Sequence, residues 1–308
     1  MEKKPRSLVE AIRYFADTDR CIEFVAALRW PDGVTCAKCG SVETYFLKTR
    51  KIWKCKGCRR QFSVKVGTIF EDSPLGLDKW LPAVWLIANS KNGMGSHELG
   101  RALGVTQKSA WFMLHRIRLA MQSGSIEMFD GTVEVDETYI GGIAKNMHAK
   151  DRERKIKGGG PSGNMTAVVG IVQRGGNVVG KVVKDTTLPT LQGFVRDNVH
   201  RRSTVYTDGA RAYVGLRDDF NHASVDHRLG EYVNGVVHTN NIESFWALLK
   251  RAIRGAYVSV SPEHLWRYVD ERAFAFNYRK NTDMERFTAA LDQITGRRLT
   301  YAELTGKA

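Results

Sequence analysis

The chain has 308 residues, of which 43% are hydrophobic and 26% are charged, a usage typical of globular proteins rather than of disordered or fibrous chains. This length allows two or three modules and excludes a single small domain. The 47 Lys and Arg residues outnumber the 33 Asp and Glu residues, which gives a formal net charge of +14 and favours binding to nucleic acid. Solubility alone also explains such a charge, so the choice between the two explanations depends on the sequence motifs.

The apolar stretches of the chain are too short to cross a membrane. The longest, residues 80–88, is interrupted by Pro82 and is far below the ~20 residues that a spanning helix needs. The first residues, MEKKPRSLVEAIRYF, lack the apolar run and the cleavage site of a signal peptide. We therefore expect a cytoplasmic, nucleoid-associated protein without a membrane partner.

Two small modules are predicted at the start of the chain. Residues 1–30 carry apolar side chains near helical spacing and predict one or two amphipathic helices. Cys21 lies on their apolar face, where a cysteine usually acts as a small buried hydrophobe. Residues 31–72 alternate aromatic and basic side chains around turns and predict a small β module. Its aromatic side chains suit either contact with nucleic acid or a small core.

Four cysteines in the β module have the spacing of a zinc site. Cys36 and Cys39 form CAKC, and Cys55 and Cys58 form CKGC after fifteen intervening residues, which matches the C-x2-C-x15–20-C-x2-C pattern. Each pair can aim two thiolates at one point, and two pairs close a tetrahedral site with no open position for a substrate. The pattern therefore predicts a zinc ribbon with one structural Zn²⁺.

Residues 73–124 predict three helices, the last two with a helix-turn-helix outline. In SHELGRALGVTQKSAWFMLHRIRLAM, a helix from Ser96 ends before Gly104, and Thr106 can cap the second helix. In DNA-binding versions the second helix enters the major groove. This predicts four exposed DNA-contacting side chains, namely Gln107, Lys108, Arg116 and Arg118. A purely structural helix pair has the same outline, and that alternative stays open.

The second half, residues 125–285, predicts a mixed sheet and helix domain. TVEVDETYI, MTAVVGIVQ, NVVGKVV and STVYTD carry β-branched runs bounded by turn residues. Helical spacing marks three further segments, namely residues 188–199, 241–254 and 262–278. This order favours an α/β or α+β fold. Residues 145–160 are basic without an apolar face and predict a mobile loop, and residues 286–308 are assigned to a C-terminal tail.

Two carboxylates are predicted at the ends of neighbouring strands. Asp136 ends TVEVD, where alternation places Glu134 and Asp136 on the face opposite Val133 and Val135. Asp208 ends STVYTD and is followed by a glycine. Mg²⁺ is usually held by one or two carboxylates together with waters and substrate phosphates, which suits an enzyme that acts on phosphodiesters. The pair therefore predicts a magnesium site.

A third group is predicted in HTNNIESFWALLKR. Glu243 and Lys250 are seven residues apart and lie on one helix face, with Asn240 next to it. The charge of a carboxylate favours Glu243 as the third Mg²⁺ ligand, whereas Asn240 or Asn241 is expected to cap the helix. Any one of these acidic residues alone is better explained by a solvated loop end or a cap. The ordered set favours catalysis.

TVEVDETYIGG, VYTDGARAY and HTNNIESFWALLKR resemble the three motifs of the DDE transposases of the IS1595 (ISXO-type) insertion-sequence family, and the CAKC and CKGC ribbon is similar to the N-terminal module of that family. The resemblance implies a ribonuclease-H-like core with catalytic Asp136 and Asp208, a third group that is either Asn240 or Glu243, and the basic partner Lys250. Another similarity to the family is Glu271, Arg272 and Arg279, which have no assigned role beyond pairing within the helix.

These features predict a transposase that binds the terminal inverted repeats of an insertion sequence and cleaves and joins DNA strands. Two Mg²⁺ ions, for which Mn²⁺ is the expected substitute, would activate a water or 3′-OH and stabilise the leaving oxygen. The expected partners are double-stranded DNA of the element ends and of the target, and further copies of the chain in a homo-oligomer on DNA. Two alternatives stay open: an inactive zinc-ribbon regulator derived from a transposase, and a ribonuclease-H-like nuclease that does not join strands.

Overall fold

The computed structural model describes residues 4–122, 127–141, 165–225, 230 and 233–306. The predicted basic loop at residues 145–160 lies outside them. The chain forms two compact units, of which the first combines Met1–Gln122 with Lys280–Ala308 and the second is Ser123–Arg279. No helix in the described part of the chain is long and apolar enough to span a bilayer.

The first unit contains the helical and ribbon elements that were expected from the sequence. Its helices and strands up to residue 122 are α1 (Leu8–Tyr14), α2 (Thr18–Arg29), β1 (Thr44–Leu47), β2 (Ile52–Cys55), β3 (Gln61–Phe62), α3 (Leu77–Asn89), α4 (Ser96–Leu103) and α5 (Gln107–Met121). The three strands form one antiparallel sheet in the order β1-β2-β3. Cys21 on α2 is fully buried, as a small core residue would be.

The C-terminal residues are not the predicted tail. They form two helices that belong to the first unit, α9 (Asp283–Asp292) and α10 (Tyr301–Thr305), and each begins with a capping box. On α9, Phe287 is fully buried and its ring packs against those of Phe15, Phe24 and Trp85. Burial of a Phe side chain stabilises a fold by roughly 1.5–3 kcal/mol, so this segment completes the core of the first unit.

The second unit is a five-stranded sheet with helices on both faces. Its elements are β4 (Thr132–Ile140), β5 (Thr166–Gln173), β6 (Val178–Val183), α6 (Leu188–Asn198), β7 (Thr204–Asp208), a 3-10 helix (Arg211–Asp218), β8 (Asn221–Val225), α7 (Asn240–Ala252), a π-helical turn (Ile253–Tyr257), a 3-10 turn (Pro262–His264) and α8 (Leu265–Asn277). The sequence had not indicated β8 or the 3-10 helix before it.

The sheet has the order β6-β5-β4-β7-β8. Strands β4, β5 and β6 are antiparallel neighbours, whereas β7 and β8 run parallel to β4. One core cluster covers the face that carries Val133 and Val135, and includes α6. The opposite cluster is formed with α7 and α8. This arrangement confirms the predicted mixed α/β class, with a small ribbon and a helix-turn-helix followed by a domain of one sheet and its helices.

Candidate active site

Two aspartates lie side by side in the centre of the sheet of the second unit. Glu134 and Tyr206 are the last paired residues of the parallel ladder between β4 and β7, and Asp136 and Asp208 each follow two residues later. The two carboxylates are close enough for the charge of Asp208 to raise the pKa of Asp136. Residues opposite each other in a parallel pair point to the same face, and adjacent strands lie about 4.8 Å apart. Asp208 ends β7 as predicted, but Asp136 is in the middle of β4, because the ladder to β5 continues to Ile140.

The Asp136 carboxylate is held in a largely buried, negatively charged environment. The indole nitrogen of Trp246 on α7 donates a hydrogen bond of 3.0 Å to Asp136 Oδ2. Burial, and after it the charges of Glu137 and Asp208, raise the pKa of Asp136 from 3.8 to about 7. Among the described residues no basic side chain forms an ion pair with either aspartate. A hard divalent cation would therefore find two carboxylates without a competing cation.

Glu137 is a third carboxylate near this pair, and the sequence analysis had not singled it out. The buried Tyr213 hydroxyl donates a hydrogen bond of 2.6 Å to Glu137 Oε2. Burial raises the pKa of Glu137, and the Tyr213 hydrogen bond offsets part of that rise. Because side chains alternate along a strand, Glu137 and Asp136 leave β4 on opposite faces. Glu137 thus adds negative charge behind the aspartate pair.

The start of α7 is anchored by Glu134, two residues before Asp136 on the same face of β4. Its fully buried carboxylate accepts hydrogen bonds from the backbone N–H groups of Asn241 (2.8 Å) and Ile242 (3.2 Å) and from the Asn241 side chain. Arg174 donates a hydrogen bond to the same carboxylate, and His238 Nδ1 lies 3.2 Å from it. A negative charge at a helix N-terminus is favourable. The expected capping by Asn240 or Asn241 is therefore wrong, since Glu134 takes that role.

Two glycines let α7 and α8 approach the sheet closely. Gly170 is the β5 partner of Asp136, and Gly180 is the β6 partner of Gly170. A Cβ atom on Gly170 would lie 2.6 Å from the Trp246 ring, and one on Gly180 would lie 2.6 Å from Val269. No side chain larger than hydrogen fits there without displacing α7 or α8. The row Asp208–Asp136–Gly170–Gly180 therefore combines the acids with the surface on which the helices rest.

The third motif begins α7, as predicted, and its groups are ordered along one side of the helix. Glu243 is exposed, and its carboxylate accepts a hydrogen bond of 2.9 Å from the Thr239 hydroxyl. Trp246, which reaches Asp136, is three residues after Glu243 and four before Lys250, so the three lie on adjacent parts of one face. Asn240 is exposed in the first turn, and its carbonyl accepts from Ser244.

The four cysteines of the ribbon converge as the spacing predicts. Their Sγ atoms all lie within 4.8 Å of one another, and the pairs Cys36–Cys58 and Cys39–Cys55 are each 3.6 Å apart. Four thiolates at the ~2.3 Å Zn–S distance of a tetrahedral site are roughly 3.8 Å apart, so this arrangement fits zinc. Trp53 and Phe62 are buried, so these two aromatic side chains belong to the small core of the ribbon.

The helix-turn-helix has the predicted bounds, but only half of its predicted DNA contacts are exposed. Gly104 is left-handed (φ 65°), Thr106 caps α5, and Gln107 and Lys108 are exposed at its start. Their side chains make local contacts, a hydrogen bond to Ser96 and a cation–π contact with Tyr301.

Arg116 and Arg118 are buried, so their prediction as exposed DNA contacts is wrong. Arg116 donates to the carbonyls of Ile69, Glu71 and Leu299, which draws it into the core of the first unit.

Glu271, Arg272 and Arg279, the additional residues that resemble the family, make contacts within the second unit. Glu271 and Arg272 on α8 are buried and form an ion pair, and the Tyr257 hydroxyl donates to the same Glu271 carboxylate. Arg279 instead donates to the carbonyls of Gly176 and Phe276. The Glu271–Arg272 pair thus connects α8 to the π-helical turn that follows α7.

Two transposase family models and a relative from a transposable element match this chain. The model of the ISXO2-like transposase domain matches residues 128–277, and that of the transposase zinc-ribbon domain matches residues 16–61. The chain is 29% identical over 274 residues to an uncharacterized protein in the transposable element ISH50 of Halobacterium salinarum, across 85% of this chain and 91% of that protein. A solved structure, the Mos1 strand transfer complex, is 11% identical with a TM-score of 0.23, across 69% of this chain and 78% of that chain.

Proposed function

Because the chain belongs to the IS1595 family of ISXO2-like transposases, we propose that it binds the terminal inverted repeats of an insertion sequence and catalyses Mg²⁺-dependent DNA strand cleavage and strand transfer. The observation that carries this proposal is that Asp136 and Asp208 lie on adjacent parallel strands, two residues beyond the last paired position and close enough for their charges to interact, with Trp246 donating a hydrogen bond to Asp136. Two carboxylates on rigid strands are the donor set that Mg²⁺ takes in phosphoryl-transfer sites.

Each residue of the site has a proposed role in catalysis. Asp136 and Asp208 would hold the metal, and Trp246 orients the Asp136 carboxylate by donating a hydrogen bond to Oδ2. Bound Mg²⁺ supplies Lewis acidity to the attacking and leaving oxygens of the phosphodiester. Lys250, on the same side of α7 as Trp246, would place a positive charge near a DNA phosphate. Mn²⁺ is expected to replace Mg²⁺, since both accept carboxylate oxygens.

Glu243 is the proposed third metal ligand, with Asn240 as the alternative. A carboxylate holds a divalent cation beside a polyanionic substrate better than a neutral amide does. Glu243 is also three residues before Trp246, which contacts Asp136, whereas Asn240 is six residues before it. The exposed Glu243 carboxylate lies in the first turn of α7, where it accepts a hydrogen bond from the Thr239 hydroxyl.

The first unit is proposed to recognise the element ends. Gln107 and Lys108, exposed at the start of α5, would be the side chains that enter the major groove in a helix-turn-helix. The four cysteines would bind one structural Zn²⁺ that holds the ribbon, whose exposed Tyr45 and Phe46 suit contact with DNA bases. The net charge of +14 favours strongly salt-dependent binding. The active form is proposed to be a homo-oligomer on DNA.

The test is a strand-transfer assay with purified protein, Mg²⁺, a labelled element end and a target plasmid. A transposase yields label covalently joined to the plasmid. Cleavage without joined product would support a nuclease, and end binding without cleavage would support a DNA-binding regulator. Either of these two results would contradict the proposal.

A further inference from the structure

A cavity in the second unit lies at the end of β4, the strand that carries Asp136, and neither aspartate lines it. It has a volume of about 210 Å³ and is formed by the end of β4, the last turn of α7 and the chain that follows α7. The described residues that line it are Tyr139, Ile140, Gly141, Lys250, Ile253, Arg254, Val258, Ser259 and Val260. No acidic residue is among them.

The cavity is positively charged on one wall. Lys250 in the last turn of α7 and Arg254 in the π-helical turn that follows both line the cavity. In the part of the chain that the structure describes, neither forms an ion pair. Like charges that line one cavity repel one another, and an anion bound between them would relieve that repulsion. Cations are also favourable at any helix C-terminus, but that effect applies equally to Arg251, which does not line the cavity.

The remaining walls are apolar or aromatic. Ile140, Ile253 and Val260 supply aliphatic surface, and Tyr139 is 38% exposed at the rim. A free inorganic phosphate gains nothing from such walls, whereas a nucleotide places its phosphate on the cations and its sugar and base on the apolar and aromatic surface. The chemistry of the lining thus favours one nucleotide unit of a DNA strand.

The distance between the cavity and Asp136 indicates which part of a bound DNA strand the cavity would contact. Ile140 is four residues after Asp136 on β4, a distance of roughly 13 Å along a strand. The rise of B-DNA is about 3.4 Å per nucleotide in each strand, so this distance corresponds to about four nucleotides. Lys250 is one helical turn beyond Trp246, the side chain that contacts Asp136.

From these observations we propose that Arg254, together with Lys250 and Tyr139, forms a pocket for one nucleotide of the DNA strand, within about four nucleotides of the scissile phosphate. This inference rests on the proposed function. It adds Arg254 as a residue that positions the DNA and that contacts one particular phosphate of the strand.

The experiment scans the phosphates of an element end with the wild type, Arg254→Gln and Arg251→Gln in the full-length protein. Each duplex carries one uncharged methylphosphonate, placed in turn at four positions on either side of the cleavage site. Affinity is measured by fluorescence anisotropy in Ca²⁺, and cleavage is measured separately in Mg²⁺. Arg251 is the matched control, because it is an exposed cation on the same helix end outside the cavity.

We expect one position at which the uncharged phosphate weakens wild-type binding roughly tenfold, the loss of one charge-assisted contact. Arg254→Gln should bind the unmodified end that much more weakly and show no further loss at this position, while Arg251→Gln should respond as the wild type does. If Arg254→Gln responds like the wild type at every position while the wild type still cleaves and joins ends, the pocket is refuted and the proposed function stands. A wild type that neither binds nor cuts the ends would refute both.

Discussion

Asp136→Asn should stabilise the metal-free second unit at pH 8, although it removes a proposed metal ligand. The pKa of Asp136 is raised from 3.8 to about 7 in the folded protein, so ionisation is harder there than in the unfolded chain. At ~1.4 kcal/mol for each factor of ten in acidity, the ionised carboxylate costs about 4 kcal/mol of unfolding free energy. Below about pH 4 the carboxyl is protonated in both the folded and the unfolded protein, and this cost is absent. The unfolding free energy falls by this amount as the pH rises through about 7. Asparagine has no such charge.

The assay is hydrogen exchange of peptides from β4 and β5 at pH 8 and at pH 4, after correction for intrinsic exchange rates. Asp136→Asn should gain about 4 kcal/mol of protection at pH 8 and nothing at pH 4. Asp218→Asn, which alters an exposed carboxylate of the same unit, is the control and should gain nothing at either pH. Adding Mg²⁺ should stabilise only proteins that retain Asp136. Equal or lower protection of Asp136→Asn at pH 8 would refute the reasoning.

Three further predictions concern the other parts of the protein. Cys36→Ser should lose the single equivalent of zinc in elemental analysis and unfold the ribbon while sparing the second unit, and less than half an equivalent in the wild type would contradict the zinc site. Gly170→Ala should cost roughly 1–3 kcal/mol through overpacking against Trp246 and reduce turnover at unchanged end affinity, as thermal melts and cleavage rates will report. Glu243→Gln should lose most turnover in Mg²⁺ at unchanged end affinity, whereas Asn240→Ala should keep its activity; the reverse pattern in stably folded proteins would make Asn240 the third group.

Local patterns made much of the fold predictable from the sequence. The cysteine spacing, the β-branched runs and the Gly104 turn each depend on neighbouring residues, and the structure confirms the elements that they indicate. The C-terminal helices were also within reach, because Thr282 with Glu285 and Thr300 with Glu303 have the spacing of capping boxes. Strand β8 was not, since NHASV has few β-branched residues and owes its pairing to β7.

Contacts between distant parts of the chain could not be read from periodicity. Arg116 has the spacing of an exposed α5 position, but the carbonyl of Leu299, 183 residues away, accepts its hydrogen bond in the core. Likewise Glu134 has the alternation of an ordinary strand residue, and its partners in the first turn of α7 are more than a hundred residues distant. The only local signal for Glu134 was that it shares a face with Asp136.

The central claim is that Asp136 and Asp208 bind the metal that acts in DNA strand transfer, and replacement of one ligand atom tests it most directly. In Asp208→Cys a soft thiolate replaces a hard carboxylate, which disfavours Mg²⁺ more than Mn²⁺. With a labelled element end and a target plasmid, this variant should join no strands in Mg²⁺ and regain joining in Mn²⁺, while Asp208→Asn stays inactive in both. Wild-type joining by Asp208→Cys in Mg²⁺, or no joining in Mn²⁺ by a variant that still binds the end, would contradict the account.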